Sequence, residues 1–341
     1  MIFNIRKSTV LFAAAALLAT VAAASRAQEP AAGAADTSLK QISDKYAPVF
    51  TTLEQWLDTN PPLDQQQNVR EQNLKIIDEA MLEKRAKELD CVGDFFQGRM
   101  AAFMRDFTSS APGGDTFIWK LYNHTEIVQT KDITIAIDLI KGFDKVTLND
   151  ADLKEIVLRT DVLLVTHSHG DHVQPAVVDM FLDAGRPVVV PELFWPDYKR
   201  NNLLTVIRKG DLEFPGASVK VFPSFQKETP DNVYLILTDN GHSIMHIGDN
   251  NNIFQAGHEW FRKFKKPLAV DALIPNIWTP DMASLLKFIR PALLVSSHEH
   301  ELGHPPAGRR TYGYVYGVLH TIKESFVVPM WGEKVVLKKK D

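Results

Sequence analysis

Four side chains able to bind a metal stand within six residues in His167-Ser168-His169-Gly170-Asp171-His172. Imidazole and carboxylate are the ligands a borderline divalent cation such as Zn²⁺ prefers. In an extended loop His167 and His169 project to the same side, and a chain that then turns into a helix carries Asp171 and His172 near its start. One short segment can therefore serve two adjacent cations. Water held between two cations loses its proton near neutral pH and becomes a nucleophile, so the expected chemistry is hydrolysis, with Asp171 orienting the attacking oxygen. A surface loop that merely happens to be rich in histidine is the plain alternative, and four ligand-type residues at this spacing argue against it.

Two cations need more ligands than one loop supplies, and later strand ends are the places to find them. Asp249 follows the apolar run Ser243–Ile247 in His246-Ile247-Gly248-Asp249, where the glycine lets the backbone come close while the carboxylate leaves the strand. A carboxylate there can bridge two cations. His298 ends the apolar run Leu293-Leu294-Val295-Ser296-Ser297, with His300 and His304 just beyond it. Either of these two, or water, is a candidate to protonate the leaving group. His246 reads as a strand histidine near the site, His124 as structural or substrate-contacting, and His320 as surface or packing. His242 and His258 are further histidines within reach of the same region.

The elements that must position these residues can be read from periodicity. From Ser38 to about Phe107 the pattern is helical. Leu39, Ile42, Tyr46, Val49, Leu53 and Trp56 recur at three- and four-residue spacing, interrupted at Pro48, and Asn60-Pro61-Pro62 breaks the run. Leu74, Ile77, Met81, Leu89, Val92, Phe96, Met100, Phe103 and Phe107 form a second stripe, with Gly93-Asp94 as a kink or division. This stripe reads as a packing face, with a lid or an oligomer contact as its functional alternatives. Ser109–Gly114 reads as a linker. Beyond it short strands alternate with helices. Strands are expected at Thr116–Leu121, Thr125–Gln129, Ile133–Asp138, Asp161–Thr166, Pro187–Val190, Ser218–Pro223, Val233–Leu237, Ser243–Ile247, Leu293–Ser297 and Val335–Leu337. Helices are expected after the Asn149-Asp150 cap, from Val177 to about Gly185, and over Met282–Ile289. Asp239-Asn240-Gly241 is strong hairpin chemistry. The mixture suggests an α/β fold in which two sheets lie between helical layers.

Composition bounds the remainder. Arg6 and Lys7 precede an apolar, Ala-rich run from Val10 to Ala24, and Ser25-Arg26-Ala27 offers a cleavage site, so residues 1–27 read as a secretory signal peptide. A retained anchor is the alternative. Residues 28–37 read as a flexible leader, 38–110 as a helical extension and 115–341 as the catalytic domain. Export to the periplasm or the exterior, with no stable membrane insertion after cleavage, is the expectation. Losing residues 1–27 moves the formal net charge from −4 to −7, which disfavours nucleic-acid binding. Cys91 is the only cysteine, so no Cys-based zinc site and no internal disulfide can form.

The run Thr166–His172, His246-x-Gly248-Asp249 and a strand-terminal His298 together resemble the metallo-β-lactamase superfamily. The strands leading to Asp138 and the His-x-Gly-Asp form are most similar to its branch of ascorbate-6-phosphate lactonase-like hydrolases and related phosphodiesterases. The resemblance spans about residues 115–337. It implies a four-layer αβ/βα sandwich and a hydrolase that uses a metal-bound hydroxide on a small-molecule ester, lactone, amide or phosphodiester. It implies one or two Zn²⁺, with Mn or Fe as alternatives. His167 and His169 would hold the first metal, Asp171, His172 and His298 the second, and Asp249 would bridge them. A further first-metal histidine is expected near Phe222-Pro223-Ser224-Phe225-Gln226, where Gln226 stands instead. That substitution motivates a second reading, a degenerate metal-binding or sensing protein, and because His and Asp ligands also suit iron a third is a mononuclear-iron redox enzyme.

Overall fold

The computed structural model describes residues 32–63, 65–250, 260–280 and 282–340. The expected signal peptide and His258 lie outside the described residues. Helices α1 (Ala32–Leu57), α2 (Gln67–Leu74), α3 (Asp78–Met81) and α4 (Asp90–Ser109) come first. Then follow β1 (Thr116–Lys120), β2 (Glu126–Gln129), β3 (Thr134–Ile137), β4 (Gly142–Phe143), β5 (Val146–Thr147), α5 (Asp150–Arg159), β6 (Val162–Leu164), α6 (Pro175–Asp183), β7 (Val188–Val190) and β8 (Thr205–Val206). The second half holds β9 (Gly210–Phe214), β10 (Ala217–Gln226), β11 (Thr229–Thr238), β12 (Ser243–His246), β13 (Leu268–Ile274), α7 (Met282–Leu285), β14 (Ile289–Val295), α8 (Tyr312–Leu319), β15 (Phe326–Val327) and β16 (Lys334–Leu337). Among the described residues no helix is long and apolar enough to cross a membrane.

Two seven-stranded sheets face each other. One runs β16-β1-β2-β3-β6-β7-β8 and the other β15-β14-β13-β12-β11-β10-β9. Side chains alternate across each strand, so each sheet has two apolar faces. Ile118, Ile135, Ile137, Val162, Leu164 and Val189 from the first sheet meet Val219, Tyr234, Ile236, Ile244, Ala272 and Ile274 from the second in one inner core. Their neighbours Trp119, Ala136, Leu163, Val188, Val233, Met245 and Leu273 point outward into the core that the helices cover. The architecture is therefore a four-layer αβ/βα sandwich.

Each sheet changes from antiparallel to parallel partway across. In the first, β3, β6, β7 and β8 are parallel neighbours, and in the second β12, β13, β14 and β15 are. Parallel strands deliver their C-terminal ends to one edge, and in such sheets ligands settle in the crevice outside those ends. The ends of β3, β6, β12, β13 and β14 carry Asp138, the His/Asp loop, Asp249, Asn276 and His298 respectively.

Several elements differ from the expectation. Helix α1 begins at Ala32, within the segment read as a leader, and passes through Pro48 without ending. Helix α4 runs through Gly93, and the division falls instead between Leu82 and Leu89. Gly93 marks a close approach: a Cβ there would lie 2.8 Å from the Lys145 Cβ on the turn between β4 and β5. The apolar stripe of the extension is buried against the chain's own first sheet, with Phe103 and Phe107 packed edge-on to Trp119 at 5.3 and 6.1 Å. Strands β4, β5, β8, β9, β13 and β15 were not expected. Asp171 and His172 do not sit in a helix. They lie in a tight turn closed by His172 N–H and Val173 N–H on the His169 carbonyl, both at 3.0 Å, and α6 starts only at Pro175.

Candidate metal centre

Asp171, His172, Asp249 and His298 each offer a ligand atom, and these four atoms all lie within 4.8 Å of one another. His172 Nε2 is 3.4 Å from Asp171 Oδ2 and 3.3 Å from Asp249 Oδ1. His298 Nε2 is 3.1 Å from Asp249 Oδ1 and 3.7 Å from Asp171 Oδ2. Both Nε2 atoms are buried and lack a hydrogen-bond partner. Buried polar atoms are rarely left so, and two imidazoles aimed at two carboxylates have the donor set and spacing that a divalent cation requires. The residues fit such a cation.

The electrostatics agree. Burial opposes a charge on His172, but Asp249, Asp171 and Asp138 outweigh it and pull its pKa well above the usual imidazole range. Burial likewise opposes the charge on Asp249, and His298 and His172 outweigh it, holding the carboxyl well below the usual range. In the metal-free protein, protons on the imidazoles stand in for the positive charge that a cation brings.

Three of the four side chains are held by hydrogen bonds from neighbouring residues, whereas His298 Nδ1 is buried without a partner. Asp138, held at φ 49°, accepts the Thr166 amide at 2.7 Å, the Thr166 hydroxyl at 2.6 Å and His172 Nδ1 at 2.8 Å. The Asp138 bond puts the proton on Nδ1 and leaves Nε2 as the donor atom, the usual carboxylate–histidine arrangement behind a metal. Asn123 Nδ2 donates to the Asp171 carbonyl at 3.1 Å and to Oδ2 at 3.2 Å. Asn276 Nδ2 donates to Asp249 Oδ1 at 2.6 Å. Reading the sequence missed both asparagines. Asn123 could have been found as an Asn-His pair between two strands, whereas Asn276 follows β13, which had not been recognised. Asp231 was also missed: it is fully buried, neither oxygen has a partner, and burial together with Asp249 and Asp138 pushes its pKa well above the carboxylate range.

The other expected residues divide. His167 is buried, its ring 4.1 Å from that of His172 and 4.5 Å from that of exposed His169, and its Nε2 is without a partner. Among the described residues His167 and His169 do not join a carboxylate in a group as tight as the first. Gln226 does reach the pocket. Its Nε2 donates to Asp249 Oδ2 at 2.8 Å and its Oε1 is buried without a partner, so the carboxylate oxygen expected to face a first metal accepts an amide proton instead. His300, expected as a leaving-group acid, meets Asp78 Oδ1 of α3 through its Nε2 at 2.8 Å, and its backbone is left-handed at φ 46°. His304 remains at the pocket, 6.4 Å from the His298 ring, 5.1 Å from that of Trp278, and 41% exposed. His242 is fixed far from it by the Thr116 hydroxyl at 2.8 Å and the Lys338 carbonyl at 2.9 Å, and His320 pairs with Glu71 at the surface.

No protein-family model matches the chain. No curated protein matches it either. Among solved structures it is similar to Igni18, a metallo hydrolase from Ignicoccus hospitalis, at 21% identity over 66% of this chain and 100% of that one, with a TM-score of 0.49. It is similar to CmlA, a diiron β-hydroxylase from Streptomyces venezuelae, at 15% identity over 67% of this chain and 55% of that one, TM-score 0.47. It is also similar to BJP-1, a subclass B3 metallo-β-lactamase of Bradyrhizobium japonicum, at 15% identity over 48% of this chain and 78% of that one, TM-score 0.30. Fold and pocket together define a four-layer αβ/βα protein with a buried carboxylate–histidine cluster at the C-terminal edge of its sheets.

Proposed function

We propose that the protein is a metal-dependent hydrolase of the metallo-β-lactamase superfamily, acting on an ester, lactone, amide or phosphodiester. The observation that carries this reading is the convergence of Asp171, His172, Asp249 and His298 with both imidazole Nε2 atoms buried and unpartnered. These four residues would hold a divalent cation, Zn²⁺ in our reading, which when bound would lower the pKa of water and polarise a carbonyl or phosphoryl oxygen. Asp171, 19% exposed and anchored by Asn123, would orient the attacking water and take its proton at a carboxylate oxygen. His304 at the pocket edge would hand a proton to the leaving group. Gln226 favours a single cation on the Asp171/His172/Asp249/His298 set, because its amide proton satisfies the Asp249 oxygen that would otherwise turn to a second one. We also propose export, on the strength of Arg6, Lys7 and the apolar run that follows.

The test is metal analysis of the purified protein, then turnover of chromogenic esters and phosphodiesters by metal-replete protein. One zinc-like ion with turnover on at least one substrate supports the reading. A single iron with oxidative turnover overturns it. So does a panel without turnover in which Asp171→Ala leaves the metal content unchanged.

A further inference from the structure

Behind the pocket lies a second cluster of buried ionisable groups that the proposed chemistry does not use: Lys120, His124, Glu126, His246, Ser297 and Glu299, all at most 3% exposed. Lys120 Nζ lies 3.3 Å from Glu126 Oε1 and 3.6 Å from Glu299 Oε2, and it also donates to the Asn123 carbonyl and the Ser297 hydroxyl. The Ser297 hydroxyl donates to Glu126 Oε1 at 2.5 Å. On its other oxygen Glu126 accepts His246 Nε2 at 2.9 Å. Burial opposes the charge on Glu126, but Lys120 and His246 outweigh it and hold the carboxyl down at about 2.

The two histidines of this cluster meet at one residue. The Gly248 N–H donates to His246 Nδ1 at 3.2 Å, and the Gly248 carbonyl lies 3.2 Å from His124 Nε2. Because His246 Nδ1 accepts, its proton sits on Nε2, where Glu126 receives it. Because His124 Nε2 faces a carbonyl, it carries the proton and donates. The two rings lie 4.2 Å apart. Gly248 is left-handed at φ 55° and immediately precedes Asp249.

We infer that the buried Lys120–Glu126 pair is the positioning hub of the metal pocket, and that His246 and His124 are its clamp on both polar groups of Gly248, fixing the direction in which Asp249 leaves β12. The same hub reaches two more members of the pocket. The Asn123 carbonyl that Lys120 binds accepts the His298 amide at 3.3 Å, and the Asn123 side chain holds Asp171. Ser297, which donates to Glu126, is the residue before His298. Three of the four pocket residues are thus tied to one buried ion pair through a single intermediate residue or two. His124, Glu126 and His246 also have the mutual spacing of a cation site. Two facts argue against one: an ammonium already stands beside Glu126, and the Gly248 amide keeps the His246 lone pair on Nδ1, away from the other two.

The clamp rests on the metal-pocket reading for its purpose but not for its test. Asn at position 246 can place Oδ1 where the imidazole Nδ1 accepts, and Gln at position 124 can place its amide where Nε2 donates, so His246→Asn and His124→Gln keep the bonds to Gly248 while His246→Ala and His124→Ala lose them. The first readout is hydrogen exchange at the Gly248 amide in metal-free protein. We expect protection in the wild type and in His246→Asn, and exchange at least about tenfold faster in His246→Ala, as loss of a buried hydrogen bond demands. The second is the Zn²⁺ dissociation constant by competition with a chromogenic chelator. The alanine variants should bind about tenfold more weakly and the mimics within a few-fold of the wild type, in line with other groups that orient ligands from behind. If an alanine variant does not fold, Glu126→Gln replaces it, and Gly248 protection must fall there too. Mimics that behave like alanine, or folded alanine variants that match the wild type in both readouts, overturn the clamp. A second Zn²⁺ equivalent that disappears in Glu126→Gln overturns it in favour of a cation site. Wild-type protein that protects Gly248 yet binds no metal leaves the clamp standing and refutes the proposed function instead.

Discussion

Replacing Asp138 by Asn tests the pocket through a residue that touches no substrate. The carboxylate takes three donors, the Thr166 amide on Oδ1 and the Thr166 hydroxyl and His172 Nδ1 on Oδ2. An Asn side chain of the same shape has one oxygen. If that oxygen keeps the Thr166 amide, the new NH₂ faces His172 Nδ1, which must then accept. The His172 proton moves to Nε2, the atom 3.3–3.4 Å from Asp249 and Asp171, and the imidazole can no longer ligate. If the amide flips, its NH₂ opposes the Thr166 N–H across 2.7 Å and orphans a buried donor, which costs about 1–3 kcal/mol of stability. The first outcome is milder for the fold and falls on the metal. Losing such an outer partner weakens metal binding by about 10- to 100-fold, or about 1.4–2.7 kcal/mol. Chelator competition near neutral pH, with a thermal melt in parallel, reads both. Thr166→Val removes one hydroxyl and spares the Asp138–His172 bond, so its metal affinity should stay within a few-fold of the wild type. An Asp138→Asn protein with wild-type metal affinity and wild-type melting temperature would refute the orientation argument.

Metal affinity should rise steeply with pH. His172 and His298 are both pulled above the ordinary imidazole value in the metal-free protein, and each must lose its proton to bind. Below those raised values affinity should fall by up to about a hundredfold per pH unit, two protons being displaced per cation; a flat chelator titration between about pH 5.5 and 8 would sink this expectation. Gly248→Ala should destabilise by about 1–3 kcal/mol, since φ is 55° and a Cβ would lie 2.6 Å from Asp231 Oδ1 and 2.9 Å from Thr166 Cβ; an unchanged melting temperature counts against the cramped turn. Arg70→Met strips the buried Glu333 carboxylate of its guanidinium, which also donates to the Val328 carbonyl at 2.7 Å. The loss should be about 3–5 kcal/mol, with Glu333→Gln in the same chain restoring part of it, as chemical denaturation will show.

Much of the fold could be read from local pattern because its elements are locally encoded. The Asn149 cap closes on the Asp152 amide at 2.8 Å, the Asp239-Asn240-Gly241 turn joins β11 to β12, and the alternation of Ile135, Ala136 and Ile137 marks a strand with two buried faces. Short-range signals failed where tertiary contact sets the outcome. Gly93 resembles a helix break, yet α4 continues through it because the glycine makes room for Lys145. Strand β13 carries Asp271 in an otherwise apolar run, and it is the Ser243 amide and hydroxyl on the neighbouring strand, at 2.7 and 2.8 Å, that satisfy this carboxylate.

The sequence by itself determined the ligand inventory. Residue type decides which atoms can hold a cation, and the run His167–His172, Asp249 and His298 had those types at strand ends. Tertiary structure decided which of them meet, because ligation depends on ångström-scale convergence of residues far apart in the chain. It joined Asp171 and His172 to Asp249 and His298, turned His300 onto Asp78, and set the Gln226 amide against Asp249. It also revealed what no motif announces: asparagines and a buried Lys120–Glu126 pair behind the pocket, whose part follows from where the backbone carries them and not from their own chemistry.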